Sequence, residues 1–123
     1  MREIKFRIWE EGPVKEGFKG IMVPYDYIIE SSYLIDGLKG KYPLMQFTGL
    51  KDKNNKEIYE GDIIIKGKGK YYFIQYSDGG FHAEYVNNQG IQGHGFHISL
   101  CVNEFEVIGN IYENKNLLNK EVK

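Results

Sequence analysis

Cysteine is almost missing from this 123-residue chain. Cys101 is the single one, so an intrachain disulfide is excluded, and its setting in Ile98-Ser99-Leu100-Cys101-Val102 favours a reduced, buried thiol. Net charge is nearly missing too: 16 basic against 17 acidic side chains leave −1, which removes any bulk attraction to nucleic acid or an anionic membrane. No apolar run approaches the roughly 18 residues that a membrane span needs. The alternating start Met1-Arg2-Glu3-Ile4-Lys5 lacks the apolar core, about 7 to 15 residues long, of a signal peptide. Internal repeats and low-complexity tracts are absent. These gaps predict a soluble cytoplasmic protein with no membrane partner.

What is abundant is aromatic: 10 Tyr, 7 Phe and one Trp make up 15% of the chain, the usage of strand-rich domains that fill thin cores. At 14.3 kDa the chain fits a single domain, 1–123, long enough to bury a core without disulfides or metals.

Glu3 to Trp9 alternates with a period of two, which places Ile4, Phe6 and Ile8 on one covered face and Lys5, Arg7 and Trp9 on the other. Glu10 to Gly20, with Gly12, Pro13 and Gly17, reads as a loop. Ile21–Val23 and Tyr27–Ile29 are short apolar runs split by Pro24, which has no N–H for a ladder, so both read as edge strands or irregular segments. Leu44–Thr48 is a short strand, and Asp52, Asn54 and Asn55 mark a tight turn. Glu60-Gly61-Asp62 leads into Ile63-Ile64-Ile65, the β-branched run of a strand buried on both faces. Here Gly61 is expected to take an angle other residues avoid, and Asp62 to bond the turn it closes. Glycine hairpins at Gly67–Gly69 and Ser77–Gly80 connect that strand to Lys70–Tyr76 and then to Phe81–Val86 in an antiparallel meander. Further strands are expected at Phe96–Val102 and Phe105–Ile111, with Gly109 as a bulge or a close approach of another backbone, and a turn or two of helix around Leu117 and Leu118 capped by Asn114. The fold expected is mainly β: a small SH3-like or partly open antiparallel β-barrel with an irregular N-terminal excursion and a short C-terminal helix.

Three stretches, REIKFRIWE (Arg2 to Glu10), LMQFTGLKDKNNKEIYEGDII (Leu44 to Ile64) and EVIGNIYENKNLL (Glu106 to Leu118), taken in this order, resemble the YopX family of small proteins encoded by bacteriophages, prophages and their hosts. The middle block is the most specific. Trp9-Glu10 departs from the expected tryptophan-aspartate while keeping the negative charge. The resemblance implies a β-rich fold, a phage or mobile-element origin and residence in bacterial cytoplasm. It brings no established activity and no catalytic residues.

Read for chemistry, the chain contains no catalytic set. His94, His97 and Cys101, with His82 upstream, invite a zinc reading, but in a strand His97 and Cys101 face one side and His94 lies in the loop or on the other. A Cys-His nucleophile pair lacks an exposed thiol and an orienting group. Gly90 to Gly95 resembles a phosphate loop without the following helix that such loops need. Glu57, Glu60, Asp62 and Glu104 form no acid–base pair. No cofactor or metal is expected, and no catalysis.

Two binding surfaces remain. The strand from Tyr71 is apolar on both faces, so Tyr71, Tyr72, Phe73 and Tyr76, with Phe81 and Tyr85, form a candidate interface for a second copy or a host protein. Alternatively Lys66, Lys68 and Lys70, extended by Lys51, Lys53 and Lys56, hold phosphates while nearby rings stack bases. Protein contact is the favoured reading, nucleic acid the alternative.

Overall fold

The computed structural model describes residues 3–11, 20–67, 71–77, 79–87, 90–91, 96–97 and 104–114. The chain divides into two compact units, Met1–Phe47 and Thr48–Lys123.

In the first unit β1 (Phe6–Glu10) is the central strand, flanked by β2 (Ile21–Val23) and by the start of β3 (Leu44–Lys51). Both pairings are antiparallel, with Ile8 opposite Val23 on one side and Leu44 on the other. Between β2 and β3 lie two short helices, α1 (Tyr25–Ile28) and α2 (Tyr33–Leu38). Ile8, Val23 and Ile28 are the buried centre, with Phe6, Tyr25, Tyr33, Leu34, Tyr42 and Leu44 packed around it.

Three expectations are corrected in this unit. Tyr27 and Ile28 belong to a helix and its end, not to an edge strand. Pro24 is extended (φ −73°, ψ 161°) and stands just outside α1, where no amide donor is needed, and its carbonyl accepts from the N–H groups of Tyr27 and Ile28. The missing donor that suggested a sheet edge serves a helix start equally well. Trp9 is buried instead of facing solvent, with its ring against Gly20, where an added Cβ would lie 2.6 Å from it. Ile4, which lies before β1, is exposed.

In the second unit β3 continues to Lys51 and borders β4 (Glu57–Tyr59). There follow β5 (Asp62–Ile65), β6 (Tyr71–Ser77), β7 (Gly80–Asn87), β8 (Gly90–Ile91), β9 (Phe96–His97) and β10 (Glu106–Asn110). The sheet order is β10-β5-β6-β7-β8, with β9 also on β7. This is the mainly β architecture that the strand spacing predicts: an antiparallel sheet curled into a half-barrel, and a second sheet. The predicted meander is β5 to β7, and the register of β10 on β5 shifts between Val107 and Gly109, the predicted bulge. Successive residues of β5 enter different cores, as a strand covered on both faces requires. Ile64 joins Ile58, Ile74, Phe81, Ala83, Phe105 and Val107, while Ile63 joins Phe73 and Val86.

The loop within 12–19, the strand beyond His97, the helix around Leu117 and Leu118, and Lys68, Lys70, His94 and Cys101 lie outside the described residues. Among the described residues no helix is long and apolar enough to cross a membrane.

Candidate interaction surface

The segment that carries most of the sequence pattern, Leu44 to Ile65, is held by buried polar side chains that bond its own backbone. Asp52 Oδ1 accepts from the amides of Asn54 (2.8 Å) and Lys56 (2.9 Å), which fixes the turn in which Asn55 takes φ 67°. Its Oδ2 accepts from Val107 N–H (2.8 Å) and so ties that turn to β10. Burial alone pushes the Asp52 carboxyl up, but the amides of Val107, Lys56 and Asn54 and the Lys56 charge together outweigh it and hold the group below the usual carboxylate range. Thr48 Oγ1 donates to Ile58 C=O (2.7 Å) and accepts from Leu50 N–H. Gly61 takes φ 86°, its N–H reaching Ile74 C=O, and Asp62 Oδ2 accepts from Tyr59 N–H (2.8 Å), as the sequence leads one to expect. Asn110 Oδ1 accepts from Tyr112 and Glu113 amides. These side chains spend their bonding capacity on the fold. Sequence reasoning found Gly61 and Asp62 but missed the Asp52 bridge and Asn110; acceptor spacings of two and four residues after Asp52 were a legible local signal, whereas Val107 is 55 residues away.

The aromatic set predicted as an interface is largely consumed by the second unit itself. Phe73 (7% exposed) and Phe81 (8%) are buried in the two cores. Tyr71 is half-buried against the Ile63 core, and Tyr72 lies among the rings of Tyr85 (5.9 Å), Phe96 (5.1 Å) and Phe105 (5.7 Å). Of the six, Tyr76 alone is exposed, at 49%, and its ring meets the edge of Phe81. A strand with two apolar faces looked like surplus because one core was assumed; the described residues of the unit form two.

The lysine surface is diluted by acids. Lys66 Nζ pairs with Glu104 (3.1 Å) and Lys53 Nζ with Glu106 (3.7 Å), so phosphate would compete with a carboxylate at each. His82 is half-buried on β7, its backbone opposite that of His97. Among the described residues no group of three or more His, Cys, Asp or Glu side chains is placed to hold a metal ion.

Exposed apolar surface is concentrated elsewhere. Seven large apolar side chains of the described residues are exposed, and six of them, Ile4, Ile21, Tyr27, Ile29, Ile35 and Leu38, belong to the first unit. The cause is local. Gly37 turns toward β1, where an added Cβ would lie 3.0 Å from Ile8 Cδ1 and 3.3 Å from Leu44 Cδ1, so α2 packs closely through its Gly37 side. Tyr33 and Tyr42 meet with tilted rings, their centres 5.3 Å apart. A hydrogen bond to the Glu10 carboxylate, with smaller contributions from burial and nearby charge, pushes the Tyr33 hydroxyl above the usual tyrosine range. With that side committed, Ile35 (57%) and Leu38 (66%), three residues apart, share the outward side, and Tyr27 (71%) and Ile29 (48%) stand out around α1. Asp26 and Glu30 are exposed at the α1 end and Lys39 and Lys41 at the other, Lys41 approaching Asp36 at 4.0 Å. Helix fell where the sequence suggested irregular chain, so this surface was not foreseen.

No curated protein matches the chain. Among solved structures the chain is similar to protein EF1440 from Enterococcus faecalis, with a TM-score of 0.56 and 24% identity over 96% of this chain and 99% of that one, a likeness of fold alone. A family model described as YopX protein matches residues 15–119, most of the chain, beginning after the Arg2 to Glu10 stretch. The chain belongs to the YopX family.

Proposed function

We propose that this YopX protein is a non-enzymatic accessory module of a phage or prophage that acts in the bacterial cytoplasm by protein–protein contact, self-association included. The observation that carries the reading is the outward apolar side of α1 and α2, with Tyr27, Ile29, Ile35 and Leu38 each about half exposed or more. Single exposed apolar residues are ordinary, but several on one pair of adjacent helices, beside charged residues of both signs, have the composition of an interface centre and rim. The side chains of the second unit that sequence alone offered for this role are mostly committed to its cores.

The test is the double variant Ile35→Asp/Leu38→Asp, compared with the parent by light scattering and by chemical cross-linking in host extract. Both substitutions are at exposed positions, so circular dichroism and, in dilute solution where the chain stands alone, the melting midpoint stay close to the parent's. Every assembly the parent forms is expected to disappear in the variant. Assemblies that persist unchanged overturn the reading.

A further inference from the structure

We infer that the occupant of the α1–α2 face is a second copy of this chain, related by a two-fold axis that lays α2 antiparallel to the α2 of the other copy. The inference rests on the contact reading above and names the partner. Ile35 and Leu38 lie on one side of a six-residue helix about 9 Å long, so an axis between them brings Ile35 of each copy to Leu38 of the other. A short stripe of this kind is self-complementary.

The charges around it select the orientation and the partner. Asp26 and Glu30 precede α2, and Lys39 and Lys41 follow it, Lys41 lying 4.0 Å from Asp36 of its own helix so that Lys39 carries most of the basic end. Antiparallel crossing places the acidic end of each copy against the basic end of the other, twice by symmetry, whereas parallel crossing sets like against like. A foreign partner selected by charge would best match a rim of one sign. This rim carries both signs at opposite ends, and the whole chain carries only −1, so one copy scarcely repels another. The same charge order suits the α2 dipole, but the dipole gives no reason for apolar side chains to stand in water between the charges.

The experiment is sedimentation equilibrium on the full chain and on two charge variants, Glu30→Lys and Lys39→Glu, each alone and mixed one to one. The parent is expected to dimerise, each variant alone to dimerise about tenfold more weakly, and the mixture to recover to within about threefold of the parent, because attraction returns at both ends of the mixed dimer. A parent that stays monomeric to about 1 mM, the concentration of a very weak complex, overturns the second-copy inference. If a foreign complex is then still lost in Ile35→Asp/Leu38→Asp, the contact reading stands without it. A parent dimer indifferent to Glu30→Lys and Lys39→Glu but lost in the double Asp variant overturns the antiparallel arrangement. A dimer that survives the double Asp variant overturns both readings.

Discussion

Between β5 and β7 four branched aliphatic side chains are fully inside: Ile63, Ile64, Ile74 and Val86 are at most 1% exposed. Between α1 and the end of α2 four large apolar side chains stand outside, and Ile28 is the fully buried one. Yet the two stretches read alike in composition, both rich in Tyr, Ile and Leu or Phe. The difference lies in what each can pack against. A central strand of a meander offers two faces to two cores, whereas a helix lying on one sheet face spends one side and leaves the other to water or a partner. Apolar residues in the second unit therefore report stability, and those on the outward helix side report contact.

The largest effect that would sharpen this comparison is at Ile64. Truncation to alanine removes buried methylene groups from the Ile58–Phe105 core and leaves a cavity, so Ile64→Ala is expected to cost about 2–5 kcal/mol in denaturant unfolding. A loss under about 1 kcal/mol would mean that this core collapses to fill the space, and the contrast between the units would weaken.

Next comes Asp52. Asp52→Ala leaves three backbone amides without their acceptor, Val107 N–H among them in a buried setting, and is expected to cost about 2–4 kcal/mol. The pH dependence has a definite sign. The folded carboxyl sits below its unfolded value, near about 3.9, so its contribution is fully present above that value and is lost as pH falls through the lower folded value. The stability gap between parent and Asp52→Ala, read from urea midpoints, should be constant near neutrality and shrink below about pH 4. A gap that shrinks on raising pH instead would contradict the bonding described.

What was legible in the sequence follows the range of the interactions involved. Hairpins at Gly67 and Gly79, the Asn55 turn, the Gly61-Asp62 entry into β5 and the Gly109 bulge are set within a few residues, and glycine or asparagine at positive φ announces several of them. The helices were not legible because four- and six-residue elements show too little periodicity, and Pro24 marks a helix start as readily as a sheet edge. The interaction surface was unreadable for the same reason: to know that Ile35 faces outward one must first know that Gly37 faces Ile8. The aromatic strand misled because faces can be counted from sequence, but cores cannot.

A smaller effect is expected at Gly109, at the edge of the second unit. A Cβ there would run into the side-chain amide of Asn114, whose Oδ1 accepts from Asn110 N–H at 3.0 Å. Gly109→Ala should cost about 1 kcal/mol by displacing that bond, and Asn114→Ala a similar amount, while the double variant costs little more than either, a coupling that thermal unfolding would resolve. Additive losses would show that Asn114 is not what the methyl group meets.

The smallest effect belongs to Ile35. In dilute solution, where the chain stands alone, Ile35→Ala is expected to change unfolding free energy by no more than about 0.5 kcal/mol, because the side chain is already in water on both sides of the transition. That near-zero value is the sharpest contrast with Ile64, since both are isoleucines in regular structure. As concentration rises the parent gains stability from association by mass action while the variant gains less, so their melting midpoints should separate with concentration, which no purely internal role of Ile35 would produce. A cost of 2 kcal/mol or more, roughly that of a buried isoleucine, at every concentration would place Ile35 inside the chain's own packing and remove the asymmetry between the two units.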